Sequence, residues 1–139
     1  MEMLSIEEKG AFLGLAITIC NGDMVLLDYF AVAKNRRSRG VGSEALKLLK
    51  ERYQGRRFFL EIETTKEEAE DLEERKRRKA FYLRNGFAEL PFDADLFGVH
   101  MEMLGNGCCV TFREYHEMYR EEFGEWVASH ICLLDEWEL

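Results

Sequence analysis

The residues best suited to chemistry lie between Asp28 and Ser43. Arg36, Arg37 and Arg39 run into Gly40-Val41-Gly42, after which Ala45, Leu46, Leu48, Leu49 and Tyr53 recur at helical spacing, with Gly55 as a stop. A glycine loop opening a helix is suited to binding an anion. The backbone can approach a ligand there, unpaired N–H groups point outward, and the helix dipole adds partial positive charge. Three arginines strengthen that field. The glycines lack the spacing of a Walker loop or of a dinucleotide fingerprint, which disfavours nucleotide hydrolysis and hydride transfer. Spacing alone fits equally well a tight strand-to-helix turn with solvated arginines. Three carboxylates stand out nearby in the pattern: Asp28, the one charge in the apolar run Val25–Val32, and the pair Glu61 and Glu63.

The elements that must position these groups follow from periodicity. Met3–Glu8 reads as a short strand closed by Lys9-Gly10, and Ala11–Cys20 as a buried strand ending in the hairpin signal Asn21-Gly22. Val25–Val32 is apolar enough to be covered on both faces. After the helix, Arg57–Glu63 alternates, so Phe58, Leu60 and Ile62 face one way while Phe59, Glu61 and Glu63 face the other. Glu67–Leu83 predicts a long helix, acidic first and basic later, with favourable i,i+4 pairs Asp71/Arg75, Glu73/Arg77 and Glu74/Arg78, stopped by Asn85-Gly86. That charge run reads as a solvated face rather than a nucleic-acid patch. Phe87–Leu90 and Phe97–Leu104 follow as strands around Pro91 and the turn-prone Asp93–Asp95. Beyond Gly105-Asn106-Gly107, Thr111-Phe112-Arg113-Glu114 has the capping-box pattern, and Phe112, Tyr115, Met118, Tyr119 and Phe123 form an apolar helical stripe. A second short helix is expected after Gly124, carrying Trp126, Ile131, Leu134 and Trp137. The stripe is a packing face, for this domain or for a second copy of the chain.

Composition bounds the answer. With 139 residues, 47% hydrophobic and 33% charged, the chain can build one real core. No apolar run approaches the roughly 20 residues of a membrane span, and Met1-Glu2-Met3-Leu4 does not open a signal peptide. A cytoplasmic location is therefore expected. Cys20, Cys108, Cys109 and Cys132 with His100, His116 and His130 do not fall at metal-ligand spacings, so reduced thiols and no metal are expected. The net charge of −8 argues against nucleic acid and mildly favours a cationic small substrate.

Two motifs give the chain a likeness. Arg37-Ser38-Arg39-Gly40-Val41-Gly42 resembles the Arg/Gln-x-x-Gly-x-Gly/Ala signature of the GNAT acetyltransferase superfamily, and Phe30-Ala31-Val32 sits where that family's central strand leads into it. Farther on, Phe81-Tyr82-Leu83-Arg84-Asn85-Gly86-Phe87 is similar to the family's Phe-Tyr-x-x-x-Gly-Phe. Together the two span roughly the first hundred residues in the right order. The resemblance implies an α/β (α+β) fold with a mixed, mostly antiparallel sheet and flanking helices. Residues 1–107 would form the acetyl-CoA-binding domain, and 108–139 a helical extension packing on it or on a partner. The three opening strands would be that fold's second, third and fourth. Its first strand and the two helices after it, which usually wall the acceptor site, have no counterpart here.

What the resemblance implies for chemistry is N-acetyltransfer from acetyl-CoA to a primary amine by direct attack. Arg37, Arg39, Gly40 and Gly42, with backbone amides from Ser38 through Val41 to Ser43, would hold the pyrophosphate. Backbone groups of Phe30, Ala31 and Val32 would pair with pantetheine and polarise the thioester carbonyl. Tyr82 matches the family's tyrosine, and a phenol with pKa about 10 suits the acid that protonates the leaving thiolate. Asp28 lies where some polyamine-type members place a glutamate, and Glu61 or Glu63 is the alternative base. The competing reading is a GNAT-like module that binds acyl-CoA or a partner without turnover. The acceptor stays open among polyamines, amino acids, aminoglycosides and peptide or protein amines.

Overall fold

Lys9 and Gly10 both take positive φ, 51° and 82°, making the kind of two-residue turn whose twist suits a β-hairpin. They join β1 (Glu2–Glu8) to β2 (Ala11–Asn21), which pair antiparallel from Glu2↔Thr18 to Glu8↔Ala11. Gly22, at φ 58°, and Asp23 then turn the chain into β3 (Met24–Val32), antiparallel to β2. The computed structural model of the chain describes residues 1–34 and 40–138. It divides into two units, Met1–Phe58 and Phe59–Leu139.

In the first unit, α1 (Val41–Arg52) follows β3, and Ala16, Val25, Leu26 and Leu46 are fully buried. Gly14 is required by a close approach of strands: a Cβ there would collide with the Ala31 carbonyl oxygen and lie 3.0 Å from the Val32 Cα. One polar chain crosses this interior. Tyr53 donates to Glu2 at 2.6 Å and, having spent its proton, accepts from Thr18 at 2.7 Å.

The second unit takes up β4 (Arg57–Glu63) from Phe59 onward, then α2 (Leu72–Arg84), β5 (Ala88–Leu96), β6 (Val99–Gly105), α3 (Phe112–Phe123), α4 (Glu125–Ala128) and β7 (Ile131–Glu136). Its strands lie in the order β4-β6-β5-β7, each neighbour antiparallel. Phe59, Phe92, Leu104 and Tyr115 form its centre. The fold is thus the mixed, mostly antiparallel α+β arrangement with flanking helices that the sequence leads one to expect.

The expected bounds of β4 coincide with the observed ones, and the capping box of α3 is present in both directions: Glu114 N–H donates to Thr111 Oγ1 at 3.1 Å and Thr111 N–H to Glu114 Oε1 at 3.1 Å. Three elements differ. The helix expected from Glu67 begins only at Leu72, because the preceding residues are captured by buried acids: Thr65 N–H and its hydroxyl by Glu102, and Lys66 by Asp93. Within α2, Arg75 pairs with Asp71 as expected, but Glu73 and Glu74 take Lys76 and Arg77 at i,i+3 instead of the i,i+4 partners.

Second, Asp93–Asp95 is not a turn. β5 runs through Pro91 and these acids to Leu96, and the turn falls at Phe97 and Gly98, with φ of 53° and 86°. Pro91 is tolerated at the irregular register between Glu89 and Asp93, and Asp93 is held in the strand by cations from elsewhere. Third, the expected second tail helix is only α4. Ile131 and Leu134 belong to β7, because β5 offers an open edge and pairing with it satisfies the tail's backbone. The extension is therefore helical in its first part and a strand in its last.

Candidate active site

In the first unit, the register slips between Ile17 and Thr18, whose partners are Tyr29 and Leu27. Asp28 is the extra residue of this bulge, and it turns outward beside an equally exposed Tyr29. Its carboxyl is open to solvent at its surface, yet the protein mass around the bulge pushes its pKa up. The strand expected to be covered on both faces is thus fully buried only from Met24 to Leu27, and the bulge is where that burial ends. Phe30, Ala31 and Val32 follow it, half-buried, in register with Ala16, Leu15 and Gly14.

α1 starts with Gly40 at φ 74° and ψ 12°, a left-handed conformation that favours glycine, and among the described residues no side chain caps the helix. The first intrahelical bond runs from Glu44 N–H to Gly40 O at 3.0 Å. The amides of Val41, Gly42 and Ser43 therefore have no carbonyl of the helix to bond. A Cβ on Gly40 would meet no atom of the other described residues within 4 Å. Arg36, Arg37, Ser38 and Arg39 lie outside the described residues.

In the second unit, the two carboxylates expected on one face of β4 are taken by different elements. Glu61, opposite Met103 of β6, accepts from the Tyr115 hydroxyl at 2.6 Å and the Tyr119 hydroxyl at 2.5 Å, both on α3. Glu63, opposite Met101, forms an ion pair with Arg75 of α2 at 2.7 Å. Sequence reasoning placed Tyr115 and Tyr119 in an apolar stripe and missed this use of their hydroxyls. Their i,i+4 spacing was the available signal, but nothing local pointed to an acid 54 and 58 residues away.

Tyr82, near the end of α2, is 6% exposed, with the rings of Phe81 and Phe87 edge-on at 5.3 and 5.8 Å. Burial pushes its phenol up to about 12, the Arg78 charge drawing it slightly back. Among the described residues its hydroxyl has no hydrogen-bond partner. A further polar cluster was not foreseen. Asp93 Oδ2 accepts from Lys66 at 2.8 Å and pairs with His100 Nε2 at 2.7 Å, while Glu102 holds Lys79 at 2.7 Å. Among the described residues no group of three or more His, Cys, Asp or Glu is arranged to hold a metal ion, and no helix is long and apolar enough to cross a membrane.

The first unit thus holds a bulged strand and a helix that begins on a left-handed glycine, and the second a buried tyrosine near the end of a helix. The sequence matches the family model described as the acetyltransferase (GNAT) domain over residues 2–89, more than half of the chain, and the protein belongs to that family. No curated protein matches it. Among solved structures it is similar to a protein described as a GNAT-family acetyltransferase from Bacteroides thetaiotaomicron, at 21% identity and a TM-score of 0.64, covering 88% of this chain and 73% of that one. It is also similar to an aminoglycoside 6'-N-acetyltransferase complexed with coenzyme A, at 14% identity and a TM-score of 0.60, covering 74% and 70%. A Bacillus subtilis acetyltransferase in complex with CoA shares 13% identity at a TM-score of 0.59, covering 74% of each chain. At these identities the likeness is one of fold.

Proposed function

We propose that the protein is an acetyl-CoA-dependent N-acetyltransferase that moves an acetyl group to a primary amine by direct attack in a ternary complex. The observation that carries this reading is the start of α1: amides that no described side chain caps, beside a left-handed Gly40 with no other described residue within 4 Å of a Cβ placed on it, in a chain of the GNAT family. Those amides, with Gly40, Gly42 and the arginines 37 and 39, are suited to the cofactor's pyrophosphate. The CoA complexes among similar structures support the same assignment.

The thioester is supplied by acetyl-CoA as cosubstrate. Backbone groups of Phe30–Val32, beyond the Asp28 bulge, are the proposed partners of the pantetheine arm and of the carbonyl oxygen. A carboxylate, Asp28, Glu61 or Glu63, would take the proton from the acceptor ammonium. The neutral nitrogen then bonds to the acetyl carbon as the carbon–sulfur bond breaks. Tyr82 would protonate the departing thiolate and be reprotonated by the second proton that leaves the amide nitrogen, and a phenol held at about 12 carries its proton at any physiological pH.

A calorimetric titration with acetyl-CoA, with desulfo-CoA as control, followed by a screen of small amines for turnover, tests this. Micromolar binding with turnover supports the transferase. Binding without turnover of any amine favours the second reading, an acyl-CoA-binding module, which the engagement of both Glu61 and Glu63 by other side chains makes specific. The absence of binding removes both.

A further inference from the structure

β7 ends the sheet of the second unit, and among the described residues β5 is its only neighbour. Its other side is an edge. Phe97 N–H donates to His130 O at 3.0 Å, and the ladder stays in register from Leu96↔Ile131 through Asp95↔Cys132 to Ala94↔Leu133. Backbone groups alternate in direction along an antiparallel pair, so those of Cys132 turn towards β5 and those of Ile131 and Leu133 turn away from it. Cys132, Leu133 and Leu134 are exposed, the two leucines by 43% and 47%.

Proteins ordinarily blunt such an edge with charge or proline. β1, the edge strand of the first unit, carries Glu2, Glu7 and Glu8 among its seven residues. The run Ile131-Cys132-Leu133-Leu134 has no charge and no proline, and Asp135 and Glu136 come only after the register slips. An apolar stretch of edge has thus been left unguarded, with acids set to one end of it.

A strand that fits this edge must repeat its spacing of donors and acceptors, and an antiparallel copy of the same segment does so by symmetry. Charge decides where the twofold axis falls. With the axis at Cys132, Ile131 and the partner's Leu133 form a hydrogen-bonded pair, and symmetry repeats it. The two Asp135 carboxylates then stand about 20 Å apart, more than twice the Debye length of physiological salt. Each step of the axis towards Leu134 would bring them about 7 Å closer. The same register sets the partner's Leu134 opposite His130, whose ring is 4.4 Å from that of the exposed Trp126. Apolar surface at both ends of the seam is covered in that way.

We infer that β7 is the edge by which two copies of this chain join, antiparallel about a twofold axis at Cys132, so that the sheet of one second unit continues into the other. The inference goes beyond the acetyl-transfer reading and does not depend on it, since no residue of the proposed site takes part.

The test is sedimentation of the whole chain, with its thiols reduced, over a concentration series reaching about 100 μM, where a contact of micromolar affinity is saturated. A dimer is expected. Leu133→Lys puts a charge at the seam, and Leu133→Pro removes a donor that points away from β5, so both should keep the wild-type circular dichroism and sediment as monomers. If the proline variant does not fold, the lysine variant decides. The register is read by oxidation of the wild type with copper–phenanthroline, copper(II) taking the two electrons and the thiol protons passing to water. Residues opposed in a non-hydrogen-bonded pair have Cα atoms about 4.5 Å apart, within disulfide reach, so peptide mapping should find Cys132 joined to the partner's Cys132. With the thiol moved along the strand, by Cys132→Ser and Asp135→Cys together, that cross-link should be lost. A wild type that stays monomeric, a dimer that survives the Leu133 variants, or cross-links that bypass Cys132 overturn the inference.

Discussion

Asp93 and Glu102 are register partners on β5 and β6, so two carboxylates stand opposite one another at 1% and 3% exposure. Each is neutralised by different groups. Asp93 takes Lys66 and His100, whereas Glu102 takes Lys79 of α2, the Thr64 and Thr65 hydroxyls and the Thr65 amide. The pair thereby ties α2 and the segment before it to the sheet of the second unit.

Glu102 makes the fold acid-sensitive. Burial alone would raise its carboxyl, but the bonds from Lys79 and Thr65 outweigh it and hold the group at about 2, against an ordinary 4.5. A depressed carboxyl contributes stability above pH 4.5 and loses it as pH falls towards 2. The amount is at most about 3 kcal/mol. Urea unfolding should show the midpoint dropping through that window, and Glu102→Gln should both lower stability at neutral pH and flatten the drop. An unchanged acid limb in the variant would take Glu102 out of this role.

His100 makes the opposite limb. Glu67 Oε2 lies 2.6 Å from its Nδ1 and Asp93 Oδ2 lies 2.7 Å from its Nε2. Ionised carboxylates only accept, so the two contacts are made together only by the protonated ring, with both nitrogens donating. Burial would lower its pKa, but the bonds to Asp93 and then Glu67 prevail and raise it above 6.5. A raised histidine contributes stability fully below pH 6.5 and loses it as pH climbs through the folded value. Lys66 remains on Asp93 after the ring deprotonates, so the exposed Glu67 is the contact expected to release first. NMR of the imidazole should find a titration above 6.5, reduced in Glu67→Gln, with a stability change of about 0.5 kcal/mol for that exposed partner. A midpoint at or below 6.5 would show that neither bond persists in solution.

Much of the fold was legible where the signal is local. The apolar alternation of β4, the two-residue hairpin at Lys9-Gly10 and the capping box at Thr111 and Glu114 each depend on neighbours in sequence. What was not legible depends on distant partners. Asp93 reads as a turn residue until Lys66 and His100 are known to face it, and Glu67 to Asp71 as helix until Glu102 and Asp93 capture Thr65 and Lys66 just before them. The candidate site divides in the same way. Gly40 announces itself by spacing, but the phenols on Glu61 come from 54 and 58 residues away, and the bulge that turns Asp28 outward appears only in the register of β2 and β3.

Tyr82 can be tested without disturbing the core, because its hydroxyl has no partner among the described residues and the ring contacts with Phe81 and Phe87 survive in phenylalanine. Tyr82→Phe should keep its melting temperature and its acetyl-CoA affinity while turnover falls about a hundredfold. Because the phenol is held at about 12, the wild-type rate should show no alkaline decline from this group below that region. Unchanged turnover in the variant would assign Tyr82 to packing alone.

Gly40 separates charge from conformation at the proposed pyrophosphate loop. Its φ of 74° disfavours any side chain by about 1 kcal/mol, but a Cβ meets no atom of the other described residues within 4 Å. Aspartate is among the residues that tolerate such a backbone, and an acid at a helix start complements the dipole. Gly40→Asp should therefore fold almost as well as the wild type, while its carboxylate repels an anion from the same amides. Acetyl-CoA affinity should fall at least about a hundredfold, since an attractive charge contact is replaced by a repulsive one. Gly40→Ala bears the backbone cost without the charge and should lose far less. Equal losses in both variants would make conformation, not charge, the determinant, and full affinity in Gly40→Asp would move the pyrophosphate away from the start of α1.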